Sequence, residues 1–271
     1  MGVITKGTRQ DRVLTFRWQH RATGAGTWQD VPGSLAIPVR FYTIVDAPAF
    51  AVGATGTQYA GPWVEVCEQF YGWQQALAID PIDAATAMTV VVKGMFGQLP
   101  GLPTAIEGVK YDCPGVGGDG GANHYYQQSQ QTIQLARLLD GHANGMYVNC
   151  SDCASTTSAI AGMLGVRTVK MMRLGSMQLK AIWGIGTPTY TLNLWGGGNH
   201  GFSYHHVVTR DDGITVDDDC LCVDEDGNAL ALPGTPGWNV ARIWSNGIDG
   251  YMDLLAKANV SKSVEVLPKM K

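Results

Sequence analysis

One segment constrains the fold of this chain more than any other. Tyr147-Val148-Asn149-Cys150-Ser151-Asp152-Cys153-Ala154 leads into a run of small residues that ends at Leu164. Ala154, Ala159, Ile160, Ala161, Met163 and Leu164 suit tight packing, and Gly165 stands where a helix C-cap falls. The pattern predicts a buried helix with Cys150 at its start. A buried helix needs other elements to cover it, so the flanking sequence has to supply them.

On the N-terminal side, Val13-Leu14-Thr15-Phe16-Arg17-Trp18 and the stretch 37–45 read as strands. Gly24-Ala25-Gly26 and Pro32-Gly33 read as turns between them. Residues 1–60 therefore form a β-rich N-terminal portion, and 61–271 a second domain. In that domain 63–77 reads as a helix with Val66, Phe70 and Trp73 on one face. Asp80-Pro81 reads as the start of another, running to Met95. The Gly-rich stretch 115–121 lacks the Gly-Lys-Ser/Thr ending of a phosphate-binding loop and reads as a plain loop. A further helix is expected over 125–139. From Thr189 the chain turns strand-like, with a hairpin of 201–210 and 214–223 joined by Asp211-Asp212-Gly213. One short helix is expected at 250–258. The fold class is α+β.

Composition removes several functions. Hydrophobic residues make up 45% of the 271 and charged residues 15%, which describes a folded chain and not a disordered one. The net charge is −4 and no basic run is present, so no nucleic-acid partner is expected. Six cysteines in a chain this long do not form a disulfide scaffold. No signal peptide is legible, and no apolar run approaches the roughly 20 residues of a membrane span. The expectation is no membrane partner and, by default, the cytoplasm.

The chemistry begins at Cys150. A thiol at a helix N-terminus meets unsatisfied backbone N–H groups and the positive end of the macrodipole. Both favour thiolate, and the same N–H groups can stabilise an oxyanion. Asn149 and Tyr147, beside the thiol, are further candidate donors. A cysteine nucleophile also needs an imidazole to take its proton. Gly201-Phe202-Ser203-Tyr204-His205-His206-Val207-Val208 offers two. Adjacent strand residues face opposite sides, so one of the two faces Cys150; His205 is favoured because it follows an aromatic-rich strand start, and His206 stays open. The strand 214–224 carries Asp217-Asp218-Asp219. Asp218 is chosen to orient the imidazole, with Asp217 and Asp219 pointing away on a regular strand and Asp224 a weaker alternative.

These residues resemble a known family. Cys150-Ser151-Asp152-Cys153-Ala154, followed by a helix and Gly165-Val166, is similar to the Cys-x-Asp-x-Ala … Gly-(Ile/Val) pattern of transglutaminase-like cysteine peptidases. A histidine strand and an aspartate strand follow in the family's order. The resemblance covers residues 63–226. It implies a papain-like core in which a helix bearing Cys150 packs on an antiparallel sheet bearing His205 and Asp218. It further implies thiol-dependent acyl transfer on a peptide or protein substrate, without a cofactor. Hydrolysis, as by a cysteine peptidase or amidase, is the expected outcome; a glutamine transglutaminase or deamidase would use the same triad.

A reading of another class competes. Cys150, Cys153, Cys220 and Cys222 supply enough thiolates for a structural zinc site in an interaction module. Asp224-Glu225-Asp226-Gly227-Asn228 is similar to part of a calcium loop but lacks flanking helices. Trp183, Trp195 and Tyr204 serve either as cleft walls or as core.

Overall fold

The structure is a computed structural model. It describes residues 9–21, 27, 29–46, 48, 63–80, 83–96, 109–112, 123–139, 147–166, 169–179, 182–185, 201–210, 213–224, 240–241, 246–256, 262–264 and 269–270. The Gly-rich stretch 115–121, Trp195 and the candidate calcium loop beyond Asp224 lie outside these residues. The chain divides into two compact units, Met1–Ile44 and Val45–Lys271.

The first unit holds an antiparallel pair, β1 (Arg9–His20) and β2 (Gln29–Tyr42). Pro32-Gly33, expected as a turn, lies inside β2. Gly33 has φ 106, and the register slips where Arg17 faces Ser34 but Gln19 faces Asp30. A bulge accommodates that positive φ, which glycine adopts without strain, and the strand continues through it.

The second unit begins with α1 (Val64–Leu77) and α2 (Ala84–Phe96). Val66, Phe70 and Trp73 are buried, as the periodicity of 63–77 predicts. Gly94 of α2 lets Trp73 lie against the helix backbone, since a Cβ there would overlap the indole. The second helix starts later than Asp80-Pro81. Asp83 Oδ1 accepts from the Thr86 N–H at 2.8 Å, and Thr86 Oγ1 accepts from the Asp83 N–H at 3.2 Å. This reciprocal cap sets the start.

Short strands follow: β3 (Lys110–Tyr111), β4 (Tyr126–Gln127) and β5 (Thr132–Ile133), then the helical turn α3 (Leu135–Leu139) and β6 (Tyr147–Val148). The helix expected over 125–139 is thus reduced to its last five residues. Tyr126 pairs with Ile133 in a tight antiparallel connection, with Gln131 at φ 50 in its turn.

The central helix α4 (Cys150–Met163) starts at the predicted residue and is buried along its whole length. It packs on β11 (His205–Thr209), after β7 (Lys170–Leu174), β8 (Met177–Gln178), β9 (Ile182–Gly184) and β10 (Gly201–Phe202) have been laid down. The chain continues through β12 (Thr215–Asp217), β13 (Leu221–Asp224), β14 (Val240–Ala241), β15 (Asn246–Gly247), α5 (Ile248–Leu255), β16 (Lys262–Val264) and β17 (Lys269–Met270). The largest sheet has the order β15-β12-β11-β7-β16 and is antiparallel throughout. The fold is α+β, with a buried helix against small antiparallel sheets.

The strand expected over 214–223 is broken. β12 ends at Asp217, and β13 belongs to another sheet, between β14 and β9. The break falls at Asp218, whose Oδ1 accepts from the N–H of Cys220 at 2.8 Å and of Leu221 at 3.2 Å. A carboxylate that binds its own backbone two and three residues on makes a bend, not a strand. No helix among the described residues is long and apolar enough to cross a membrane.

Candidate active site

The site is built on the first turn of α4. Asn149 is its N-cap, and its Oδ1 accepts from the N–H of Ser151 at 2.9 Å and of Asp152 at 3.1 Å. Asp152 Oδ2 accepts in return from the Asn149 N–H at 3.1 Å, closing a capping box. The same carboxylate accepts from the backbone N–H of His124 at 3.0 Å, Tyr125 at 2.7 Å and Tyr126 at 2.7 Å. Burial pushes the Asp152 carboxyl up, and these four N–H groups pull it back down. The Asp of the Cys-x-Asp-x-Ala pattern is therefore a clamp between the helix start and 124–126. That clamp also explains why Tyr125 and Tyr126 turn into a hairpin instead of a helix.

Cys150 is the first residue of α4 and only 4% exposed. Of the first-turn N–H groups, Ser151 and Asp152 bind the cap side chain, and Cys153 binds the Asn149 carbonyl at 3.0 Å. The Cys150 N–H has no acceptor among the described residues. It is the first-turn donor left for an anion beside the thiol. Asn149, a candidate for that role on sequence, has its amide engaged, since its Nδ2 donates to Asn123 Oδ1 at 2.7 Å. Tyr147 is half-buried beside the His124 ring, 6.3 Å between centroids.

His205 opens β11 and is fully buried. Its Nε2 lies 3.1 Å from Asp218 Oδ2. Cys150 acts on the same ring by hydrogen bonding and by charge, yet the ring's Nδ1 has no partner in strict hydrogen-bond geometry. Such pairs often tighten their hydrogen bond only when substrate is bound. Burial alone would depress the imidazole. The charge and hydrogen bond of Asp218, and then those of Cys150, outweigh it, so the imidazolium is favoured.

Asp218 is held from every side. Besides the two backbone donors and the imidazole, Tyr251 Oη donates to Oδ2 at 2.6 Å. Tyr251 sits on α5, far away in sequence, and no pattern in the sequence points to it. Burial and the Asp218 charge push its phenol well above the ordinary range.

The structure brings Cys150, His205 and Asp218 together. It also relocates their neighbours. His206 is buried, with Nδ1 2.8 Å from Ser151 Oγ, and its ring packs edge-on to Tyr126. Tyr204, partly exposed, stacks under Arg173 and lies 3.4 Å from Ser151 Oγ. Phe202 lies against the His205 ring at 5.5 Å. Asp217 makes a two-pronged pair with Arg210, at 2.7 and 2.8 Å. Asp219 does not point away from the cleft to solvent, because the bend at Asp218 ends the strand alternation. It accepts from Thr157 Oγ1 of α4 at 2.8 Å, and burial with the charge of Asp218 pushes its carboxyl up to about 7. Asp224 belongs to β13, paired with Val240 of β14, in the other sheet.

The remaining thiols divide. Cys153 and Cys220 are in hydrogen-bond contact; burial pushes Cys153 up to about 12 and Cys220 well above its ordinary value. Cys222 pairs with Trp183 in the smaller sheet. Among the described residues, the set spaced for a metal ion is His205, Asp218 and Cys220.

No family model, curated protein or solved structure matches this chain.

Proposed function

We propose that the chain is a cysteine peptidase or amidase built on a papain-like, transglutaminase-like core, with Cys150 as nucleophile, His205 as acid and base, and Asp218 as the group that orients His205. One observation supports this above all: a single buried imidazole has Asp218 on one nitrogen at 3.1 Å and feels the charge of Cys150, the first residue of a capped helix.

In the proposed cycle the Nε2–H of His205 donates to Asp218, and Nδ1 takes the proton of Cys150. The thiolate sulfur attacks the amide carbonyl carbon, and the oxyanion forms beside the Cys150 N–H. His205 Nδ1–H protonates the departing amine, the C–N bond breaks, and a thioester remains. Water then gives a proton to Nδ1 and attacks the thioester; the C–S bond breaks and the thiolate returns. An amine in place of water leaves a cross-linked product by the same steps.

Iodoacetamide labelling with mass-spectrometric site assignment, on wild type and His205→Ala, tests the pair. Cys150 should be the fastest thiol at neutral pH and should slow in the variant. Reaction no faster than that of Cys67 would sink the reading. Peptide and glutamine-donor substrates then separate hydrolysis from cross-linking.

A further inference from the structure

The hydrogen bond between His205 and Asp218 lies beside two thiols that the proposed cycle does not use. The ligand atoms of His205, Asp218 and Cys220 all fall within 4.8 Å of one another. The Nε2–Oδ2 separation is 3.1 Å. Tetrahedral zinc with nitrogen, oxygen and sulfur ligands spaces its donors by about 3.3–3.8 Å, so small displacements would admit an ion. Cys153, from α4, neighbours Cys220 but falls outside that set. Nδ1 of the same imidazole is buried without a partner in strict hydrogen-bond geometry.

We propose that His205 Nε2, Asp218 Oδ2 and Cys220 Sγ form an inhibitory site for a thiophilic divalent cation such as Zn2+. The donor set is one that zinc favours, and one thiolate with one carboxylate offsets the charge of a buried dication. The supporting shell is in place: Asp218 Oδ1 is fixed by two backbone N–H groups and Oδ2 by Tyr251. Binding displaces the Nε2 proton of His205 and the thiol proton of Cys220, which leave to solvent.

The inhibitory consequence rests on the hydrolase reading and follows from the nitrogen that the ion takes. A metal on Nε2 replaces the hydrogen bond between His205 and Asp218, so the imidazole loses the contact that orients it for Cys150. The ion disables the nucleophile without binding it.

Co2+ is the probe, because a tetrahedral site with thiolate ligands gives it intense visible bands and sulfur-to-metal charge transfer. The full-length chain and its Cys150→Ser variant should each bind one Co2+ with these bands. Cys220→Ser should lose the bands and Cys153→Ser should keep them, with circular dichroism confirming that both variants fold. Zn2+ should displace Co2+ and slow Cys150 alkylation in wild type, much less so in Cys220→Ser. Absence of tetrahedral bands in wild type, bands unchanged in Cys220→Ser, or bands lost in Cys150→Ser would overturn the site. Failure of the hydrolase reading shows separately, as Cys150 alkylation in metal-free protein that ignores His205→Ala, while the cobalt spectrum of Cys150→Ser still reports on the metal.

Discussion

Cys67 and Cys150 make an instructive pair. Each lies in the first turn of a 14-residue helix, and each is buried, at 1% and 4% exposure. Position at a positive helix end is therefore common to both. Their surroundings are not. α1 has Trp63 at its N-cap with no side-chain cap, and Cys67 has Glu65 and Glu68 for neighbours. Burial, and then those two charges, push its thiol up to about 11. α4 has a complete capping box, and its thiol shares the His205 imidazole with Asp218. A helix start is common to both thiols; the proposed function rests on the buried base held by a carboxylate, which only Cys150 has beside it.

Four changes bear on the difference between these two thiols. His205→Ala should make Cys150 behave like Cys67, with its alkylation and any peptide hydrolysis down about 10³-fold; a residual rate near wild type would remove the distinction. Asp152→Ala should cost at least about 3 kcal/mol of stability in urea titration, because buried N–H groups of 124–126 and Asn149 lose their acceptor. An unchanged midpoint would mean that the clamp does not support the helix start. Asp218→Asn should lower the same rates about 10²-fold, since the ring keeps a hydrogen-bond partner but loses the charge that stabilises its imidazolium. The smallest effect belongs to the other thiol. The folded protein holds the Cys67 proton up to about pH 11, whereas an exposed thiol releases it near 9.0. The contribution of Cys67 is thus fully present below about 9 and is lost as pH rises towards 11. Cys67→Ala should flatten that alkaline decline in thermal midpoint, and a parallel decline in both proteins would show that Cys67 plays no part.

Local signals in the sequence were read well, and distant ones were not. The start of α4 and the burial of Val66, Phe70 and Trp73 follow from spacing, because periodicity reports directly on which face is covered. The helix expected over 125–139 failed because its backbone donors go to Asp152, a partner 26 and 27 residues away. The expectation for Asp219 failed for a similar reason. Strand alternation assumes a strand, and Asp218 ends it by binding the N–H groups of Cys220 and Leu221. Cys150, His205 and Asp218, which the structure brings together, each sit in a local pattern of their own. Tyr251 does not, since only the packing of α5 brings its hydroxyl to Asp218.

The double duty of Asp152 also has a consequence in time. Its bond to the Asn149 N–H closes within four residues and can form as soon as the helix does. Its bonds to His124, Tyr125 and Tyr126 close loops of 28, 27 and 26 residues and must wait for the hairpin to dock. Until then the carboxylate lacks three of its four donors and the helix start is held at one side only. Fast alkylation of Cys150 during refolding should therefore appear late, with the docking of the hairpin, and not with the first helical signal. The chain would keep its thiol quiet while it is being made and release its reactivity only once the tertiary structure is complete.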